Sequence, residues 1–122
     1  MTPFKIGSAL EQGIEQPKAW AEAFFTTIDH LAAFVALPPQ SLKRPERVKQ
    51  SKVQTRLIEI HALLRRVRPW FNSDQAAWAW YIGEPIEAFE QLTPSEIIKK
   101  FHGTGVEALN DWITERELGG FN

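Results

Sequence analysis

The strongest constraint on the fold is a long run of apolar residues at helical spacing over residues 47–68. Its members recur at steps of three and four residues, with arginine and glutamate residues between them. They are Val53, Leu57, Ile60, Leu63, Leu64 and Val67. The pattern predicts a long helix with one apolar stripe on an otherwise charged surface, ended or kinked by Pro69.

Helix start and stop signals divide the first part of the chain. Pro17 favours a first helix over residues 18–26. Thr27 is positioned to cap a second helix within residues 26–37, which the prolines at 38 and 39 would stop. Residues 38–45 are expected to form a helical turn at best.

The C-terminal half carries three more start signals. Ser73 can cap a helix that ends near residue 82. The segment TPSE at 93–96 combines a capping box with a proline at the first helical position. Thr104 and Glu107 repeat that spacing and predict that a final helix begins there. Because no clean strand alternation appears, the expected fold is all-α with about six helices.

These elements suggest three parts. They are an N-terminal arm (1–17), a helix-turn-helix-like region with a long connecting helix (18–68) and a C-terminal helical domain (69–122). The arm has few periodic apolar positions, so it is expected to add little to the core.

The composition argues against an enzyme. The chain has no cysteine, which excludes disulfides and thiolate chemistry. His30, His61 and His102 lack zinc-motif spacing and are expected to be partly exposed or to cap helices. Neither a phosphate-binding glycine loop nor a nucleophile motif appears. We therefore expect a binding protein without a cofactor.

The sequence lacks two features that would place the protein in or across a membrane. The sequence has no run of about 18 apolar residues, so no membrane span is expected. Its first residues lack the basic start and apolar centre of a signal peptide. A cytoplasmic protein is the expectation.

The charges are segregated along the chain. Residues 43–68 carry nine Lys and Arg against two Glu, a net charge of +7, whereas residues 69–122 carry three cations against nine acids, a net charge of −6. This pattern is typical of two surfaces with different partners, or of attraction between the halves. Ordinary solvated helix faces would also account for it.

Residues 26–44 have the plan of a helix-turn-helix, with an apolar-faced helix, a tight turn and a short second helix. In such units the second helix enters the major groove, where glutamine can read adenine and arginine guanine. The candidate residues are Gln40, Ser41, Lys43 and Arg44 for bases, and Arg47, Lys49 and Lys52 for phosphates. A solvated basic linker is the alternative, because Pro45 leaves the second helix barely one turn long.

The stretch WAWYIGEPIEAFEQLTP at 78–94 is rich in aromatic residues. Trp78 and Trp80 are two residues apart, about 200° around a helix, so one face cannot bury both. Trp80 is expected in the core, and Trp78 either beneath a neighbouring helix or exposed. Phe89 is expected to pack on the last two helices.

From Trp80 onwards the sequence resembles the C-terminal domain of the MbcA/ParS/Xre antitoxins. The shared features are a helix-ending tryptophan, a proline-containing loop, a Thr-Pro helix start, a glycine before the last helix and a terminal Gly-Gly-aromatic. Here they are Trp80, Pro85-Ile86, Ala88-Phe89, Thr93-Pro94, Ile97, Gly103 or Gly105, Leu109, Trp112-Ile113, Gly119-Gly120 and Phe121. The chain departs at Glu90-Gln91-Leu92, where the family usually has two glycines and a cation.

The resemblance, which covers about residues 27–122, implies an antitoxin of a type II toxin–antitoxin module. The family's usual toxins carry a RES domain and destroy NAD⁺, and the antitoxin docks its C-terminal domain over the toxin's active site. Its N-terminal part commonly binds operator DNA, often as a homodimer. By resemblance, the toxin-contacting residues are Arg116, Glu117, Gly119, Gly120, Phe121 and Asn122. A merely frayed tail, and an adaptor that binds DNA or itself without a toxin, are the alternatives.

Overall fold

The computed structural model describes residues 3–8 and 13–119. Within these ranges the chain forms seven α-helices and no β-strand, which confirms the predicted all-α class. The helices are α1 (Pro17–Ala23), α2 (Ile28–Phe34), α3 (Pro39–Lys43), α4 (Pro45–Val48), α5 (Ser51–Val67), α6 (Asp74–Gly83) and α7 (Pro94–Glu117). Short 3₁₀ turns at Arg68–Trp70 and Glu87–Phe89 join them.

Side-chain caps begin three of these helices as predicted. The Thr27 hydroxyl accepts the N–H of His30, and the Ser73 hydroxyl accepts that of Ala76. At α7, Thr93 and Glu96 form the full capping box, each side chain accepting the other's backbone N–H. These starts are local features, because donor and acceptor lie three residues apart.

The long amphipathic helix is shorter than predicted. Its apolar stripe is buried throughout, as expected. However, α5 begins at residue 51 rather than 47, because Gln50 has an extended backbone (φ −63°, ψ 143°) that separates α4 from α5. Central α5 contacts α4, α6 and α7.

The predicted start of a final helix near Thr104 lies within one residue of an observed break, because α7 consists of two helices joined at a kink, but Thr104 does not cap the second one. Helix α7 extends across this position, and its one non-helical residue is His102, with φ 51° and ψ −128°. The Thr104 hydroxyl donates to the carbonyl of Phe101 (2.7 Å) instead of capping a helix. Residues 94–101 and 103–117 therefore form two rods joined at His102.

The two rods meet closely at Gly105. A β-carbon placed there would lie 2.7 Å from the carbonyl oxygen of Ile97, whereas one at Gly103 would meet nothing within 4 Å. The resemblance allows either Gly103 or Gly105 to be the glycine before the last helix. The packing requires glycine at 105 and not at 103.

Both tryptophans of α6 are buried, on opposite sides of the helix. Trp78, 4% exposed, stacks on Phe24 at 4.4 Å between ring centroids. Trp80, 9% exposed, faces Trp112 at 6.2 Å. The prediction that Trp80 belongs to the core is confirmed. Of the two positions expected for Trp78, covered or exposed, the structure shows the covered one. Phe89 is half-buried against the core.

The N-terminal segment packs into the core. Ile6 is fully buried, and Phe4 lies 4.8 Å from the ring centroids of both Trp20 and His61. The His61 ring contacts the Glu15 carboxylate through Nδ1 (2.6 Å) and the Ile6 carbonyl through Nε2 (2.9 Å). The expectation of a partly exposed or capping histidine is therefore wrong for His61, which is 3% exposed.

Candidate functional site

An apolar groove of about 790 Å³ lies where α6, the segment that follows it and the end of α7 meet. Its apolar lining consists of Trp70, Phe71, Trp80, Pro85, Ile86 and Trp112. Its charged lining consists of Glu84, Glu87, Arg116 and Glu117. We call it the aromatic groove. Its volume is that of a ligand-binding cleft.

Three tryptophans from separate elements form the floor of this groove. Trp70 belongs to the 3₁₀ turn after α5, Trp80 to α6 and Trp112 to α7. The Trp70 ring lies 6.1 Å from each of the other two, in an edge-on arrangement. Such edge-to-face contacts are favourable between aromatic rings. Trp70 is nevertheless 40% exposed, so a large apolar surface faces solvent here.

The segment after α6 forms one wall of the groove. Ile86 is buried, and its N–H donates to the carbonyl of Leu92 (3.0 Å) in an isolated antiparallel bridge. Glu90 and Gln91 turn the chain between them with φ of 55° and 70°. These are left-handed conformations that glycine adopts without steric cost. The chain thus keeps a glycine-type turn at the two positions where the resembling family has glycines.

Two of the predicted toxin-contacting residues, Arg116 and Glu117, line this groove. The Arg116 guanidinium lies 4.3 Å above the Trp112 ring, a cation–π contact. Glu117 pairs with Arg66 at 2.6 Å, which ties the end of α7 to α5. Gly119 follows with φ 102°. Gly120, Phe121 and Asn122 lie outside the described residues.

The predicted DNA-contacting residues lie on and around α3 and α4. Those with exposed side chains are Gln40, Lys43, Arg44, Arg47, Lys49 and Lys52. Lys43 forms an ion pair with Asp29 at 2.9 Å. Ser41 is only 6% exposed, so its predicted contact with a base is not compatible with its position in the fold.

No metal-binding constellation occurs in residues 3–8 and 13–119, where no three His, Asp or Glu side chains converge. Among the same residues, no helix has both the length and the apolar character needed to cross a bilayer.

Sequence reasoning missed the groove itself. The sequence predicts Trp80 as a core residue, and no pattern in it assigns Trp70 or Trp112 to a surface. One signal could have indicated it: tryptophan is so large that it is rarely buried completely, and this chain has five. Which of them share a surface depends on tertiary packing.

Comparison with known proteins adds no identification. No family model, no curated protein and no solved structure matches the chain. Function is therefore inferred from the sequence resemblance and from the geometry of the aromatic groove.

Proposed function

We propose that the protein is an antitoxin of a type II toxin–antitoxin module. It neutralises a RES-domain, NAD-degrading toxin by docking its C-terminal half and tail over the toxin's active site, in the cytoplasm. The observation that carries this proposal is the aromatic groove. Most of its lining belongs to the segment from Trp80 onwards that resembles the toxin-binding domain, and Arg116 and Glu117 are part of that lining.

The groove has the character of a protein-binding hot spot. Such sites centre on tryptophan, tyrosine and arginine side chains that lose their water on binding. Trp70 and Arg116 supply a tryptophan and an arginine on one exposed surface. From this surface α7 leads through Gly119 directly into the tail, so groove and tail can engage one partner together.

The turn at Glu90 and Gln91 gives separate support. A non-glycine residue in the left-handed region is uncommon, and two in succession are rarer. The turn keeps this backbone although both glycines of the resembling family are replaced. Positive φ at these two positions is the conformation that a glycine pair would favour, which supports the proposed relationship independently of the groove.

The proposal is tested by expressing the adjacent gene alone and with this chain. The neighbour should stop growth and lower cellular NAD⁺, and co-expression of this chain should restore both. Trp70→Ala should weaken complex formation at least about tenfold, the loss typical of a hot-spot residue.

Phe101→Ala is the matched control, because Phe101 is a similarly exposed aromatic residue (46%) that does not line the groove. It should bind like the wild type, and both variants should keep the melting temperature within a few degrees. A harmless neighbour would refute the antitoxin function and favour the self-associating adaptor. Equal binding by the two variants would remove the groove from the interface.

A second proposed activity is operator binding, which would let the protein regulate its own genes. Four cations support it: Arg44, Arg47, Lys49 and Lys52 are exposed and form no ion pair among the described residues. Arg47, Lys49 and Lys52 follow α3 along the chain and are the candidates for phosphate contacts, and Arg44, directly after α3, is the candidate for a base contact.

The double variant Arg47→Ala with Lys49→Ala tests this activity. It should bind operator DNA more weakly, with a log–log salt slope smaller by about two, because two phosphate contacts are lost. Lys99→Ala with Lys100→Ala removes two exposed cations from α7 and should leave the slope unchanged. Absence of wild-type binding at low salt, or equal slopes for the two variants, would refute operator binding.

A further inference from the structure

The charges around the aromatic groove are unevenly neutralised. Glu117 is paired with Arg66, whereas Arg116 lies over the Trp112 ring on the α7 side, keeps its positive charge and forms no ion pair among the described residues. Glu84 and Glu87 are exposed and have no ion-pair partner among the described residues. The wall formed by residues 84–87 therefore carries two unneutralised carboxylates beside an apolar floor.

This arrangement restricts what can occupy the groove. An acidic segment would find one cation, Arg116, on the α7 side, but carboxylates on its other side would face Glu84 and Glu87, and like charges facing each other in an interface are costly. A small cation alone would leave most of the apolar floor and of the 790 Å³ unfilled. A purely apolar segment would leave both carboxylates without a partner while excluding their water.

We propose that the groove binds a partner segment in which a large apolar side chain is flanked by lysine or arginine. The apolar side chain lies on Trp70, Trp80 and Trp112, and the cation faces Glu84 and Glu87. The inference rests on the proposed function for the identity of the partner, since the toxin would carry this segment. The chemistry of recognition follows from the groove alone.

The tryptophans of the groove and the two carboxylates beside them are expected to contribute differently to binding. Burying the apolar side chain supplies affinity, because apolar contact removes both surfaces from water. The carboxylates at the edge add little net affinity but select the charge of the occupant. Charge selection is therefore the property that an experiment should measure.

Two fluorescein-labelled synthetic peptides provide the probe. Both carry Leu-Phe at the centre, flanked on each side by lysine in one peptide and by glutamate in the other. Fluorescence anisotropy with the full chain should show the lysine peptide binding at least about tenfold more tightly, as two edge pairs change from attraction to repulsion.

Three variants test which residues cause the preference for the lysine peptide. Glu84→Lys with Glu87→Lys should reverse the preference between the peptides. Glu107→Lys with Asp111→Lys makes the same change in net charge on an exposed part of α7 that does not line the groove, and should leave the preference intact. Trp70→Ala should weaken binding of the lysine peptide at least about tenfold, as expected for a hot-spot tryptophan.

Each contrary result refutes the inference. Equal binding of the two peptides, failure of both to bind, or the same response from the two charge-reversed variants would do so. Because the peptides require no toxin, the two proposals can fail separately. Growth rescue by a protein that binds neither peptide would overturn this inference alone, whereas peptide selectivity beside a harmless neighbouring gene would overturn the antitoxin function alone.

Discussion

Tyr81 is the single tyrosine of the chain, and it lies fully buried on α6. Its hydroxyl donates to the carbonyl oxygen of Phe34 (2.8 Å), which also accepts the hydroxyl of Ser95 (2.8 Å). One carbonyl at the end of α2 thus binds two later helices. Burial raises the pKa of Tyr81 well above its usual value of 10.0, because the phenolate would lack solvation.

This burial predicts a loss of stability in alkali. The unfolded tyrosine titrates near pH 10, whereas the folded one stays protonated to higher pH. The contribution of Tyr81 to the free energy of unfolding is therefore complete below about pH 10 and falls as the pH rises above it. Urea titrations at several pH values, followed by tyrosinate absorbance, measure this directly.

Tyr81→Phe is the control for other groups that titrate in alkali. It should cost about 1 kcal/mol at neutral pH, since the hydrogen bond to Phe34 is lost. Its stability should then decline less steeply above pH 10 than that of the wild type. Tyrosinate formed near pH 10 in a still-folded protein would contradict the prediction.

At the scale of elements, the contact between the two rods of α7 depends on Gly105. A methyl group there would meet the backbone of Ile97, which cannot move aside as a flexible side chain could. Gly105→Ala should therefore lower the free energy of unfolding by about 1–3 kcal/mol, the usual cost of overpacking. Chemical denaturation measures this change.

Gly103→Ala is the matched substitution, because a β-carbon there meets nothing. It should be neutral or stabilise slightly, as alanine favours helix. Similar effects of the two substitutions would show that the rods do not pack through Gly105.

Helix starts could be predicted from sequence wherever the cap was local. Thr27, Ser73 and Thr93 each accept an N–H three residues away, so the signal lies within one turn. The break at His102 is indicated only by the capping-box spacing of Thr104 and Glu107, which places the second helix one residue late; nothing about histidine itself requires φ of 51°. The gap before α5 was missed for a similar reason: Gln50 is an ordinary helix former held extended by the fold.

At the scale of the molecule, the N-terminal segment is joined to α5 by buried polar contacts. Glu15 accepts the indole N–H of Trp20 (3.0 Å) and contacts His61, while its backbone exchanges hydrogen bonds with Gln54. Residue 61 lies 46 positions from residue 15. No periodicity in the first 17 residues predicts these contacts, because they arise only after α5 has formed.

Glu15→Ala should therefore destabilise the whole fold. It leaves the indole N–H of Trp20 and Nδ1 of His61 without a buried partner, at a cost of about 3 kcal/mol. The backbone N–H of Ile6 donates to Asp74 (3.0 Å), and its hydrogen exchange should become faster in the Glu15→Ala variant. Glu22→Ala, at an exposed position of α1, should change neither quantity. Equal behaviour of the two variants would mean that the buried contacts of Glu15 do not hold the segment in place.

The aromatic groove, like these buried contacts, depends on residues that are far apart in the sequence. The segment that resembles the toxin-binding domain could be found from residues in order along the chain. The meeting of Trp70, Trp80 and Trp112 could not, because it depends on how α5, α6 and α7 pack. Each tryptophan alone is indistinguishable from a core residue.

The distribution of the tryptophans has an optical consequence. Trp70, Trp80 and Trp112 line the groove, whereas Trp20 and Trp78 lie in a separate buried cluster, 6.3 Å apart. An occupant of the groove would change the surroundings of the first three indoles and leave the other two as an internal reference. The intrinsic emission of the unlabelled protein should therefore shift when the groove is filled, which gives a direct spectroscopic signal for binding.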